Sequence, residues 1–338
     1  MISTISIENK HKSVLLAGFA ESNKHLYDVV QPEYFEEVRE VFGDCELTKA
    51  FEYLCSDDMS DVFLMNVENL HGYMKVAQLI GEYDFAYVVP LNLLLSDSFY
   101  DPTQSGRKTY YAQYLAQQKG PGIDSLYLIN DAHASLYEDI DAFLEDMDKK
   151  RVSFKNNLLS NTPYDDIIFV ANNIESLEWS NVELAKMIRN TTPAVYPRSS
   201  DNPRAVFDID FTDSVGDMAY FKYHMDGNLT VENLLTLYPY EEPLKVFTIY
   251  RICLYIGREL DFSEHIGVKY TPYRKKMAQR IVDEYLASIK GKLITDYEIT
   301  SVYAALDRYH PGTVKIVIKY KISPIGFDER FIEREVVA

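Results

Sequence analysis

The side chains best placed for chemistry stand in Asp208-Ile209-Asp210-Phe211-Thr212-Asp213, with Asp217 close behind. On a strand, Asp208 and Asp210 share one face, and two carboxylates at that spacing can hold a hard cation for metal-dependent catalysis. The glycine and the distal bidentate glutamate of a calcium loop are missing, so the competing description is an acidic strand edge facing water. The seven histidines, at 11, 25, 71, 133, 224, 265 and 310, show no pairing at metal-ligand spacing. Gly120-Pro121-Gly122 lacks the lysine and the helix that a phosphate loop needs, and is expected to be a turn. No nucleophile elbow, Walker loop, zinc spacing or dinucleotide fingerprint is present. The expectation is a protein that is not an enzyme, with no catalytic residue, no metal and no cofactor. A metal-dependent enzyme using Asp208 and Asp210 is the alternative from another class.

Binding chemistry is more evident. Lys269, Arg274, Lys275, Lys276 and Arg280 gather around the start of a helix, where cations oppose the macrodipole. They form either a solvated face, with Arg280 paired to Glu284, or a contact surface for an acidic partner. The two ends of the chain carry a second signal. Ile2, Thr4, Ile5 and Ile7 lie in an alternating stretch that has no hairpin partner beside it. Phe331, Ile332, Val336 and Val337 belong to another orphan strand, set off from the preceding elements by Pro324 and Gly326. Each end can fold back on its own hairpin or add to the sheet of a neighbouring copy. Heterologous exchange of the second kind propagates into rings or helices, and that is the arrangement expected here.

The elements that must position these groups fall into two styles. Strands are expected at Val14–Phe19, Val62–Val67, Phe85–Val89, Ser125–Asn130 and Asp166–Ala171. Helices are expected from Pro32 to Gly43, through Leu47, Phe51 and Leu54, and over Tyr73–Ile80, Ser105–Gln118, Leu136–Met147 and Val182–Arg189. Their alternation points to an α/β layer with parallel pairing. Pro193, Pro197 and Pro203 mark a surface crossing. After Pro243, one helix carries Ile249, Ile252, Cys253, Ile256 and Leu260 on one face. A second opens at Thr271-Pro272 and ends at Gly291. Two strands follow, Ile294–Tyr303 and Thr313–Ser323, joined through His310-Pro311-Gly312. The fold class is therefore α/β (α+β): a larger N-terminal mixed α/β domain, then a C-terminal domain of two helices packed on a small sheet. Two strands alone make a marginal sheet, so strands from neighbouring subunits are expected to complete it. The implied organisation is an arm at 1–12, domains at 13–240 and 241–326, and a second arm at 327–338.

Composition bounds what such a protein does. The chain has 338 residues, 34 Lys+Arg against 52 Asp+Glu, and a net charge of −18. Residues 241–338 hold 16 basic and 14 acidic side chains, so the excess acid belongs to residues 1–240. No direct nucleic-acid contact is expected, because phosphate binding needs a basic face. No membrane insertion is expected either: the longest apolar run, Phe85–Leu95, is too short and is broken by Pro90 and Asn92. The start shows no signal peptide pattern. Three distant cysteines, Cys45, Cys55 and Cys253, fit reduced thiols of a cytoplasmic product.

In order and pattern, the stretch Val246-Phe247-Thr248-Ile249-Tyr250-Arg251-Ile252-Cys253-Leu254-Tyr255-Ile256-Gly257-Arg258-Glu259-Leu260, then Pro272–Gly291, then Lys315–Pro324, resembles the inner domain of the contractile tail sheath family of bacteriophages, tailocins and related injection systems. Val14–Glu21, Val29–Gly43 and Val62–Val67 are similar to that family's opening elements. The resemblance covers roughly residues 1–90 and 240–338, and the middle departs from it. It implies a homo-oligomer, a helical sheath of stacked hexameric rings around a tail tube protein, bounded by baseplate and tail terminator proteins. It implies contraction that drives the tube through a target envelope, in a virion or tailocin particle assembled in the bacterial host cytoplasm. It also implies that the arms enter a sheet formed by Tyr297, Ile299, Ile316, Ile318 and Tyr320 of neighbours. The basic cluster at 269–280 would then face the tube. A minor sheath-like collar, terminator or baseplate-proximal protein is the nearest alternative.

Overall fold

A computed structural model of the chain describes residues 11–55, 58–80, 83–101, 107–117, 125–157, 166–175, 179–195, 197, 203–207, 209, 216–224, 228–237, 246–260, 262, 270–306, 314–326 and 332–337. The chain folds into two compact units, Met1–Thr192 with Pro197–Lys245, and Pro193–Tyr196 with Val246–Ala338.

The first unit is built on five apolar stretches whose residues are buried on both faces, the signature of strands covered by helices on either side. In chain order they are β1 (Val14–Gly18), β3 (Val62–Asn66), β4 (Tyr87–Pro90), β7 (Leu126–Asn130) and β8 (Ile167–Val170), all parallel. The short β2 (Val29–Val30) joins antiparallel, giving the order β2-β3-β1-β4-β7-β8. The chain steps outward from β1 to β3 on one side and to β4 on the other, so the doubly wound sheet changes direction at β1. Helices α2 (Glu46–Leu54) and α6 (Ser180–Arg189) pack together on the sheet. Another core gathers Leu15, Ala17, Phe63, Met65, Tyr127 and Phe169 with apolar side chains of α3 (Tyr73–Ile80), α4 (Tyr111–Gln117) and α5 (Ile140–Asn157).

Three boundaries differ from the sequence expectation, each for a local reason. Helix α1 (Phe35–Phe42) starts after Pro32, because Tyr34 remains extended at φ −154°. It ends as expected at Gly43, whose φ is +87° and where a Cβ would lie 2.5 Å from the Glu21 carboxylate. The stretch expected as one helix, Ser105–Gln118, is split. Arg107–Tyr110 is β6, antiparallel to β5 (Ser98–Asp101), and the helix begins only at Tyr111. A pairing partner and an aromatic cluster, with Phe99 4.8 Å from Tyr111, override the helical spacing there. The acidic helix runs over Ile140–Asn157 and not Leu136–Met147. The Asp139 carboxylate accepts the Ala142 N–H at 2.8 Å, and Glu145–Lys149 and Asp146–Lys150 pairs one turn apart extend it. A further hairpin, β9 (Tyr220–Tyr223) with β10 (Leu229–Glu232), completes the named elements of this unit.

The second unit contains α7 (Phe247–Glu259), α8 (Pro272–Ile289), β11 (Ile294–Leu306), β12 (Val314–Pro324) and β13 (Ile332–Val337). Thr271 caps α8 through its hydroxyl, Pro272 opens it, and Gly291 follows it at φ +80°. The sheet order is β11-β12-β13, all antiparallel. The third strand is thus the C-terminal segment of the same chain. With a single copy, the β12 edge within reach of this segment is its own, and a short link makes that pairing intramolecular. Val317, which shares a side of β12 with Lys315 and Lys319 by strand alternation, is only 2% exposed and lies opposite Val337. Ile2, Thr4, Ile5, Ile7, Phe331 and Lys269 lie outside the described residues, as do Asp208, Asp210 and the His310-Pro311-Gly312 turn.

Candidate assembly surface

The carboxyl ends of the parallel strands are where an open α/β sheet ordinarily binds a ligand. A cleft of about 920 Å³ lies there, with Asn92, Asn130, Asp131, His133, Asn172 and Trp179 in its wall. The ends of β4, β7 and β8 carry amides or a carboxylate, and these groups are hydrogen-bonded within the fold. Asn92 accepts the Phe19 N–H at 2.7 Å and donates to Glu46. Asn130 and Asn181 bond each other at 2.9 Å, and Asn181 also donates to the Leu128 carbonyl at 2.9 Å. Asp131 accepts from the Ser96 and Ala132 N–H groups and from Lys150 at 2.6 Å. His133 bonds the Ile174 carbonyl at 2.9 Å and the Ser135 hydroxyl at 2.7 Å. Asn172 accepts the Ser180 N–H at 3.0 Å. These bonds tie the loops above the sheet together.

Of the aspartates singled out in the sequence, Asp208, Asp210 and Asp213 lie outside the described residues. Of that group only Asp217 lies among the described residues; it is buried and salt-bridged to Lys155 and Arg151. Among the described residues no group of three or more His, Cys, Asp or Glu could hold a metal ion. No helix among them is long and apolar enough to cross a membrane.

The second unit is organised differently. Of thirteen residues in β11, only Ile294 is buried. Tyr297 and Ile299 are half-buried, and Tyr303 and Leu306 at the far end are 41% and 72% exposed. Ile316, Ile318 and Tyr320 on β12 are buried. The sheet therefore brings together the five residues expected to receive arms, but β12 already has a partner on each side, whereas among the described residues β11 has β12 on one side alone. A groove of about 630 Å³ runs between α8 and β11, lined by Lys276, Arg280, Asp283, Asp296 and Tyr297 among others. The Lys290 ammonium bonds Asp296 at 2.5 Å and holds its carboxyl below the ordinary range.

Of the basic cluster, Arg274, Lys275, Lys276 and Arg280 all lie on α8. Arg280 donates to Glu284 at 2.6 Å, the helix pair foreseen from spacing, and both side chains are exposed. Tyr273 and Met277 stand exposed beside them at 74% and 40%. A residue that sequence reasoning missed is Arg334 on β13, whose side chain turns inward and hydrogen-bonds the Cys253 thiol. Burial pushes that thiol up, against the pull of the guanidinium. Alternation along Ile332, Arg334 and Val336 carried this signal, because it places an arginine on the apolar side of a strand.

No family model matches the chain, and no curated protein matches it by sequence. Solved structures do match in fold. A chain of the anti-feeding prophage baseplate superposes with TM-score 0.65 at 10% identity, covering 96% of this chain and 92% of the other. The helical sheath of the anti-feeding prophage in its contracted state gives 0.63 at 11% identity, covering 98% and 94%. A sheath tail protein of Listeria innocua gives 0.65 at 8% identity, covering 96% and 94%. The chain has the mixed α/β fold of contractile tail sheath proteins over nearly its whole length.

Proposed function

We propose that the protein is a structural subunit of a contractile tail sheath, polymerising helically around an inner tail tube and contracting to drive that tube through a target envelope. The observation that carries the reading is the fold match, which spans at least 96% of this chain in sheath and baseplate chains of contractile systems. The contrast between a closed first unit and an edge-exposed second unit supports it. In this reading residues 13–240 form the outward body and 241–326 the inner domain. Arms 1–12 and 327–338 pass to neighbours, with Ile2, Thr4, Ile5, Ile7, Phe331, Ile332, Val336 and Val337 as the exchanged strands. Tyr297, Ile299, Ile316, Ile318 and Tyr320 receive them. The basic start of α8, with Lys269, faces the tube. Strand pairing supplies backbone hydrogen bonds that survive contraction, while contacts between bodies supply the energy difference between two packings.

Rings of six subunits, a tube protein, a baseplate and a terminator are the partners of this reading, and a virion or tailocin tail is the place. The baseplate chain among the fold matches favours a second reading, a baseplate-proximal sheath-like protein that ends a stack and does not extend it. Electron microscopy of the concentrated protein separates the two: long hollow tubes fit a main sheath, and single rings fit the terminal role. Dispersed monomers, with or without tube protein, would remove both. Deleting residues 1–9 should abolish the polymers; polymers that form unchanged would exclude exchange of the N-terminal strand.

A further inference from the structure

We propose that the last strand is a self-docked anchor, in which Arg334 occupies a site formed by Cys253 and Tyr320 that takes the Arg334 of a second copy when strands are exchanged. The exchange half rests on the sheath reading above; the anchor itself is in the single chain. Strand β13 lies on β12 over six paired positions, from Ile322–Ile332 to Val317–Val337. Ile332 is buried and Glu333 and Glu335 are exposed, so the side that turns inward carries Arg334 next to Ile332. Arg334 stands directly opposite Tyr320, which is 2% exposed. Its guanidinium hydrogen-bonds Cys253 of α7. Its Nε is buried and has no hydrogen-bond partner among the described residues.

A guanidinium at an inward position is a poor general stabiliser, because desolvation opposes it. It is a strong specifier of register. A slip of β13 by one residue turns every side chain over, which would expose Arg334 and press Glu333 or Glu335 against Tyr320. On the outer side Lys319 lies 3.9 Å from both Glu333 and Glu335, so the same register also matches charge. The β12 edge holds one strand at a time. A tethered strand competes at high effective concentration, so a dilute protomer keeps its own strand in place and exchange requires its release.

The test is a fluorescent peptide with the sequence of residues 331–338, titrated against three proteins. They are the full chain, a chain ending at residue 326, and the full chain carrying Lys321→Cys with Glu333→Cys in a Cys45→Ser background. Residues 321 and 333 face each other in the register, so oxidation locks the strand in place. The truncated chain should bind the peptide at least about tenfold more tightly than the full chain. The oxidised lock should bind none and should recover on reduction, and an Arg334→Ala peptide should bind at least about tenfold more weakly. Equal affinity of the native and Arg334→Ala peptides overturns the anchor. Failure of the reduced full chain to bind at any peptide concentration overturns exchange at this edge, whether or not the truncated chain folds. Peptide binding by a protein that never polymerises would leave the anchor intact and remove the sheath reading. Polymers with no peptide binding would do the reverse.

Discussion

In the first unit, Asn130, Asn181, Asp131 and Asn172 turn the carboxyl edge of a parallel sheet into a web of bonds to the protein's own backbone. In the second unit β11 leaves twelve of its thirteen residues at least partly exposed, and a buried arginine nitrogen on β13 has no partner among the described residues. In the first arrangement the named polar groups are already hydrogen-bonded within the fold. The second is a sheet with an exposed strand at one side among the described residues. The two arrangements are segregated along the chain. The charge follows the same division, with the acid concentrated in residues 1–240.

The contrast breaks most readily in the body. Phe63, fully buried and 5.2 Å from the Phe85 ring, should cost about 3–5 kcal/mol on replacement by Ala, measured by urea unfolding. A loss below about 1 kcal/mol would mean the body is looser than its burial implies. Asn181→Ala strands the Asn130 amide and the Leu128 carbonyl, and should lower stability by about 1–3 kcal/mol. If that variant unfolds with the native midpoint, the bonds at the carboxyl edge do not brace the fold. In the second unit, Tyr303→Ser with Leu306→Ser should change stability by less than about 0.5 kcal/mol. A larger loss would show that this end of the hairpin is packed in the single chain and is not an open edge.

The smallest effect is one of sign. Burial raises the Asp97 pKa, so the folded state holds that proton more tightly than the unfolded chain does. Its contribution therefore favours the fold at low pH and is lost as the pH rises from the ordinary aspartate value through the raised one. Asp97→Asn should remove that decline, and the difference between native and variant midpoints should widen from acid to neutral pH. A difference that narrows would mean the carboxylate is stabilised where it sits.

The parallel core was legible because β1, β3, β4, β7 and β8 are continuous apolar runs of four or five residues, and such runs have few other fates in a helix-rich chain. Both C-terminal helices were legible for the same kind of reason, with Thr271-Pro272 as a start and Gly291 as a stop. The strand at Arg107–Tyr110 was not, since its helical spacing is genuine and only its pairing with Ser98–Asp101 decides against it. The commitment of the strand-end asparagines was not legible either. Their partners stand tens of residues away, at 51 positions for Asn130 and Asn181.

The sequence by itself determined the alternation of strands and helices, the change of style near residue 240, the charge division and the resemblance to sheath subunits. Each of these is a local property of residue type and spacing. Only the tertiary structure decided which polar groups were already committed, which strand lies against β12, and that Arg334 rather than an apolar residue sits beneath it. Those are outcomes of competition between distant segments for the same edge or the same hydrogen bond, and no local pattern fixes the winner.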